Sequence, residues 1–340
     1  MLDHFPEPKR AAIARGLTAA FGATDLDSPP QPVSGGMSGA GVWRIRVGAI
    51  AYLLRLDVAP DGFRDPVRSH ACLRTAAAAF IAPRVRYADA ADGVTISDFI
   101  PPHSLAQDYP HKGYALVIEL AQAIRVLHET PAFPPFADYL DGMDRLIAGH
   151  RALDILASEA TAELFDRYAT LRAGYRTKAG DLVSSHNDLN PGNILYDGRR
   201  LWVVDWEAAF LADRYVDLAT VANWFTGDAG GEAALLTTYF GRAPEPGERA
   251  RFDLMRLVNH VFIGMMFLNA CVAEQPGVPL DDRTLAGPGL EDLRRGLRSG
   301  SFDMASRGNR IAYGKARLAA ALDGLRAPAC AEALSQLTAD

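Results

Sequence analysis

The chain has 340 residues, 49% of them hydrophobic and 22% charged, enough for two lobes and a sizeable core in an ordinary globular protein. A formal net charge of −6 argues against a nucleic-acid binder, whose surface carries a basic surplus, and is compatible with a cationic small-molecule partner. Three scattered cysteines, Cys72, Cys271 and Cys330, exclude the spacing of a zinc site or a disulfide framework.

Pro8 to Phe21 has helical spacing, with Ala, Ile and Leu on one side. Three strands follow, roughly Gln31–Ser34, Val42–Val47 and Ala51–Leu56, the first two separated by a glycine-rich turn. Val67 to Phe80 is alanine-rich and predicts a helix. Pro83 to Tyr87 and Val94 to Ile100 read as two more strands before Pro101-Pro102 punctuates the chain. Helices dominate thereafter, over Tyr114 to Glu129 and at least twice within Tyr139 to Tyr175. Strand-like runs return only at Leu182–Ser185, Ile194–Tyr196 and Trp202–Val204. Asp213 to Leu337 is again mostly helical, broken near residues 276–289. The start, Met1-Leu2-Asp3-His4, lacks a signal-peptide pattern. The richest apolar stretch, Val258 to Ala273, is interrupted by Asn259, His260, Gly264 and Asn269, which fits a buried helix better than a membrane span. A cytoplasmic protein with no membrane and no nucleic-acid partner is expected.

The chemistry concentrates in His186-Asn187-Asp188-Leu189-Asn190-Pro191-Gly192-Asn193. Its skeleton, H-x-D-x-x-x-x-N, has the spacing of a kinase catalytic loop. A carboxylate at Asp188 can orient an acceptor hydroxyl and take its proton. Five residues on, the Asn193 amide oxygen can reach a metal on the same side of the loop, while Pro191 and Gly192 turn the backbone between them. A short apolar strand, Val203-Val204, then delivers Asp205 of Asp205-Trp206-Glu207. Two oxygen ligands, Asn193 and Asp205, suit Mg²⁺, a hard cation that bridges phosphates.

From Ser184 to Ala219 the sequence resembles the aminoglycoside phosphotransferase and choline kinase superfamily. His186 to Leu195 and Asp205-Trp206-Glu207 are similar to its choline kinase side. Ala212-Asp213-Arg214-Tyr215 with Asp217-Leu218-Ala219 is similar to its aminoglycoside kinase side, and Leu120 to His128 to a family helix ending in Leu-His. The resemblance implies an α+β, bilobal, protein-kinase-like fold. Its small antiparallel-sheet N-lobe (residues 1–100) would bind nucleotide, and its larger, mostly helical C-lobe (residues 101–340) would carry catalysis and the acceptor. It further implies ATP and Mg²⁺, Asp188 as catalytic base, Asn193 and Asp205 as metal ligands, and Asp217 as an acid bracing the catalytic loop.

The turn Ser34-Gly35-Gly36-Met37-Ser38-Gly39-Ala40-Gly41 lies between two strands, where close backbone approach to phosphates is needed. Gly36, Ser38 and Gly39 are its expected contacts. Kinases pair a third-strand Lys with a Glu on the next helix. Here no Lys falls between Lys9 and Lys112 and no Glu between Glu7 and Glu119, so that pair is impossible within the N-lobe. Arg55 takes the Lys position, and its guanidinium can hold phosphate oxygens. Its carboxylate partner is open: Ser69 or His70 lies near the expected Glu position and Asp65 is the nearest acid. Backbone groups around Ser97-Asp98-Phe99-Ile100, chiefly of Asp98 and Ile100, are expected at the adenine edge. For the acceptor pocket, Trp206, Tyr215, Trp224 and Phe225 could form an aromatic cage and Glu207, Asp213 and Asp228 could attract an amine, though such residues are more often core or solvated. His260 reads as a hydrogen-bonded core histidine.

The leading expectation is an ATP-dependent kinase acting on a small-molecule hydroxyl (an amino alcohol, aminoglycoside or sugar-like acceptor). Its competitors are a nucleotide-binding regulatory module, or a kinase whose acceptor is a protein.

Overall fold

The computed structural model describes residues 1–33, 40–101, 103–105, 107–110, 113–280 and 282–339. They divide into two units. The first comprises Met1–Phe136, Val183–Asp217 and Gly227–Tyr239; the second comprises Ala137–Leu182, Leu218–Thr226 and Phe240–Asp340.

In the first unit, α1 (Arg10–Phe21) packs on a five-stranded antiparallel sheet. Its strands are β1 (Gln31–Pro32), β2 (Gly41–Val47), β3 (Ile50–Leu56), β4 (Val85–Asp89) and β5 (Val94–Asp98), ordered β1-β2-β3-β5-β4. Alternation on β3 sends Tyr52, Leu54 and Leu56 into the core with Ile13 and Leu17 of α1, and leaves Arg55 on the other face. The β2–β3 hairpin turns through Gly48 and Ala49, both at positive φ (60° and 66°), as a two-residue turn matching strand twist requires. Pro32 cannot donate to a ladder, which confines β1 to the sheet edge. The strand expected over Gln31–Ser34 is β1, with Ser34 outside the described residues. The strand expected to reach Ile100 ends at Asp98. Helix α2 (Pro66–Ala78) starts where Asp65 accepts the Val67 N–H at 2.9 Å, with Pro66 in its first turn. Helix α3 (Ala115–His128) buries Val117, Leu120, Ala121, Ile124, Leu127 and His128 at helical spacing.

The chain then forms α4 (Tyr139–Ala152) and α5 (Ser158–Gly174) in the second unit. Returning, it forms β6 (Leu182–Ser185), paired with β9 (Phe210–Asp213), and the hairpin of β7 (Ile194–Tyr196) and β8 (Leu201–Val203). β8 stops before Val204 because the Val204 N–H bonds to the Asn193 carbonyl at 3.0 Å. The remaining helices are α6 (Arg214–Phe225), α7 (Ala229–Phe240), α8 (Pro246–Glu274), α9 (Leu290–Ser299), α10 (Arg307–Arg326) and α11 (Pro328–Ala339), with the expected break between α8 and α9. A capping box of Glu245 and Glu248 opens α8. By length and apolar content α8 could cross a membrane, but α10 and α11 pack along it. At the α8–α10 crossing, a Cβ on Gly264 would fall 2.6 Å from Leu318 and 2.9 Å from the Gly314 carbonyl.

Candidate active site

The loop after β6 is fixed from below. Asp217, fully buried, accepts the backbone N–H groups of His186 (2.9 Å) and Asn187 (2.7 Å), and pairs with His128 Nε2 at 3.1 Å. Burial opposes its charge, but His128 and the backbone donors outweigh that and hold its carboxyl below the usual range. Behind it, His128 Nδ1 lies 2.8 Å from the Tyr239 hydroxyl. Asn187 sits at φ 65°, an uncommon conformation for a residue with a side chain. Its amide is tied to Ser185 Oγ (2.8 Å) and the Ala208 carbonyl (2.9 Å). His186 is buried. Its Nε2 faces the Val204 carbonyl at 3.0 Å, its Nδ1 accepts the Asp188 N–H at 3.3 Å, and its ring meets Trp206 edge-on at 4.6 Å. With Nδ1 accepting, Nε2 is the nitrogen placed to donate to the Val204 carbonyl.

Asp188 is thereby presented on a rigid turn. Asn190 Nδ2 donates to Oδ1 at 2.9 Å, and Asn193 Nδ2 donates to both Oδ2 (3.0 Å) and the Asp188 carbonyl (2.9 Å). Burial, reinforced by the Asp205 charge and opposed by the amide donors, pushes the Asp188 carboxyl up. Because Asn193 spends its nitrogen on Asp188, its Oδ1 is left to accept. Asp205 follows β8 at φ 63°, ψ 73°, again left-handed for a residue with a Cβ, as strained functional residues often are. Among the described residues no group of three His, Cys, Asp or Glu side chains could hold a metal. The donors present, one amide oxygen and one carboxylate, fit a hard cation completed by phosphate oxygens and water.

Arg55 points into the same region. Its Nη1 lies 3.3 Å from Asp205 Oδ1, its Nη2 pairs with Glu207, and its Nε lies 3.5 Å from Asp57 Oδ1. His70 of α2 touches Asp57 at 2.8 Å and the Thr95 hydroxyl at 3.0 Å. The question of Arg55's partner is thus answered by Asp57, Asp205 and Glu207. Asp65, the nearest acid in sequence, caps α2 instead, and His70 reaches Arg55 only through Asp57. Sequence reasoning missed Asn190 and Asp57, and offered Glu207 for a different task. The signal for Glu207 was an acid two residues after Asp205 in a chain whose sheet and α2 contain no Glu.

At the other expected contacts, Asp98 pairs with Arg86 (2.6 Å) and its N–H bonds to the Arg84 carbonyl, while Phe99 lies under the Arg44 guanidinium at 4.8 Å. Gly36, Ser38 and Gly39 lie outside the described residues. Of the cage candidates, Trp206 and Tyr215 are buried. In the second unit, Trp224 stacks on Tyr313 at 5.8 Å and already carries Arg317 over its ring at 4.6 Å. Asp213 is buried, and Asp228 accepts the Gly231 N–H at the start of α7 and the Tyr114 hydroxyl. His260 is buried against Arg317 at 3.2 Å; burial, with three nearby arginines, holds it well below the ordinary histidine range.

Residues 30–252 match the model of the phosphotransferase enzyme family. The chain belongs to this family. This phosphotransferase is 30% identical over 155 residues to an aminoglycoside 3'-phosphotransferase from Streptomyces fradiae, a match covering 42% of the chain and 57% of that relative. The chain thus spans little more than half the length of the curated relative. Its fold is similar to a choline/ethanolamine kinase family protein from Mesorhizobium loti (TM-score 0.69, 19% identity, 98% of this chain and 100% of the other). It is also similar to a spectinomycin phosphotransferase solved with ADP and spectinomycin (TM-score 0.55, 13% identity, 90% and 98%). The chain accordingly has the protein-kinase-like α+β fold.

Proposed function

We propose that this phosphotransferase transfers the γ-phosphate of ATP to a hydroxyl of a small molecule, with Asp188 as the base. The hydroxyl oxygen attacks the γ-phosphorus, its proton passes to an Asp188 carboxylate oxygen, and ADP leaves. The observation that carries this reading is the double use of Asn193: its nitrogen orients Asp188 and its oxygen remains for a cation beside Asp205. Mg²⁺, when bound, would offset phosphate charge from that position. Arg55 adds fixed positive charge, and the Gly36, Ser38 and Gly39 turn is assigned to the phosphates. The Asp98 carbonyl and Ile100 N–H are assigned to the adenine edge, leaving catalysis to positioning and electrostatics. The names of the relatives support an acceptor of the amino alcohol or aminoglycoside type. We further assign nucleotide binding to residues 1–100 and the acceptor to residues 101–340, in a cytoplasmic setting where the three buried free thiols would persist.

Asp188→Ala tests this reading in a coupled ATP-consumption assay over a panel of amino alcohols, aminoglycosides and sugars. The variant should lose most turnover, by about 10²-fold or more, while binding nucleotide like the parent. Near-full activity would refute the assignment of the base.

A further inference from the structure

We propose that Glu207 is the carboxylate that positions Arg55 for the nucleotide phosphates, doing from the loop after β8 what kinases do with an acid on the helix after the third strand. The inference rests on the kinase reading above and adds a residue to it. Helix α2 contributes no acid at all. Asp65 is used as its cap. What α2 turns toward the sheet is His70, engaged with Asp57 and Thr95.

Three acids surround the Arg55 guanidinium, and they are not equivalent. Asp57 lies 3.5 Å from Nε and is shared with His70. Asp205 is assigned to the cation, so its hold on Nη1 is one that a cation would contest. Glu207 has no such competing assignment, and its own placement is secured independently. Its carbonyl accepts Arg68 Nη2 at 3.0 Å, and that arginine is 3% exposed. The Arg68 guanidinium also bonds the Phe63 carbonyl at 2.6 Å and lies 4.1 Å over the Phe136 ring. Main chain fixed by a buried arginine and a carboxylate fixed by Arg55 make Glu207 a rigid bracket. Only about a fifth of each charged side chain of the pair is exposed (19% and 20%), so water screens it less than a surface pair.

The test is a double-mutant cycle of Glu207→Gln and Arg55→Ala in the full chain, with Glu207→Asp as the conservative control. Affinity for a non-hydrolysable ATP analogue is measured with and without Mg²⁺, alongside KM for ATP, KM for the acceptor, kcat and melting temperature. Glu207→Gln should weaken nucleotide binding about tenfold, with and without Mg²⁺, and raise KM for ATP while sparing KM for the acceptor. Glu207→Asp should restore part of the loss. In the Arg55→Ala background Glu207→Gln should add nothing. Losses that multiply, or a Glu207→Gln variant within about twofold of the parent, would overturn the proposal. Should Glu207→Gln fail to fold, Glu207→Asp against Arg55→Ala carries the same cycle. A parent that binds the analogue but transfers no phosphate refutes the kinase reading alone; a parent that binds no nucleotide refutes both.

Discussion

Two aspartates set 29 residues apart along the chain have opposite electrostatics, and each suits its place. Asp217 gains more from His128 and two backbone N–H groups than burial costs it, so its folded pKa is depressed. Its contribution to stability is therefore present above its unfolded pKa and is lost as pH falls through the lower folded value. Asp188 is pushed the other way. A protonated Asp188 cannot receive a proton, so activity should fall as pH drops through its raised value. The acid limb of kcat/KM against pH should accordingly lie above the ordinary aspartate value of about 3.9. A limb at or below that value, measured with saturating Mg²⁺, would contradict the role given to Asp188. At this scale the gathering of Asp188, Asn193 and Asp205 into one place was legible because their spacing is local. The sequence left open the partner of Arg55, because Glu207 lies 152 positions away and is brought near only by the fold. Trp224 was offered as a cage residue or as core, and its face carries a buried arginine that the letters do not place there.

Elements with strong periodicity were legible almost to the residue. β6 and β7 have the expected bounds, and α3 differs from its expected span by one residue at each end, because buried positions at regular spacing leave little freedom of register. Ends set by hydrogen bonds from elsewhere were not legible. β8 stops where Val204 turns its N–H to Asn193, a competition invisible in the letters. The α8–α10 crossing is another such case. Gly264 and Gly314 let two backbones touch, each where an added Cβ would meet the other helix. Gly264→Ala should thus lower unfolding free energy by about 1–3 kcal/mol despite the better helix propensity of alanine. Urea denaturation reads this directly, and a more stable variant would show that the crossing can relax.

For the whole molecule, the proposed nucleotide binding would be linked to folding. A ligand that binds only the folded chain stabilises it by RT ln(1 + [L]/Kd), about 2.7 kcal/mol at a hundredfold excess over Kd. Melting temperature should therefore climb with the concentration of a non-hydrolysable ATP analogue, and Mg²⁺ should steepen the climb. Asp205→Ala should remove the Mg²⁺-dependent part and leave the rest, measured by calorimetry. An equal Mg²⁺ response in parent and variant would rule out Asp205 as a cation ligand.

The bracket between β3 and the loop after β8 also bears on control. Protein kinases are commonly switched by swinging the helix that carries the paired glutamate, making or breaking an ion pair with the third strand. In this chain α2 contributes no acid, and the strand cation finds its carboxylate on the segment that also bears Asp205. Displacing α2 would break no direct ion pair with Arg55, and would reach it only through the His70–Asp57 contact and the Arg68 bond to the Glu207 carbonyl.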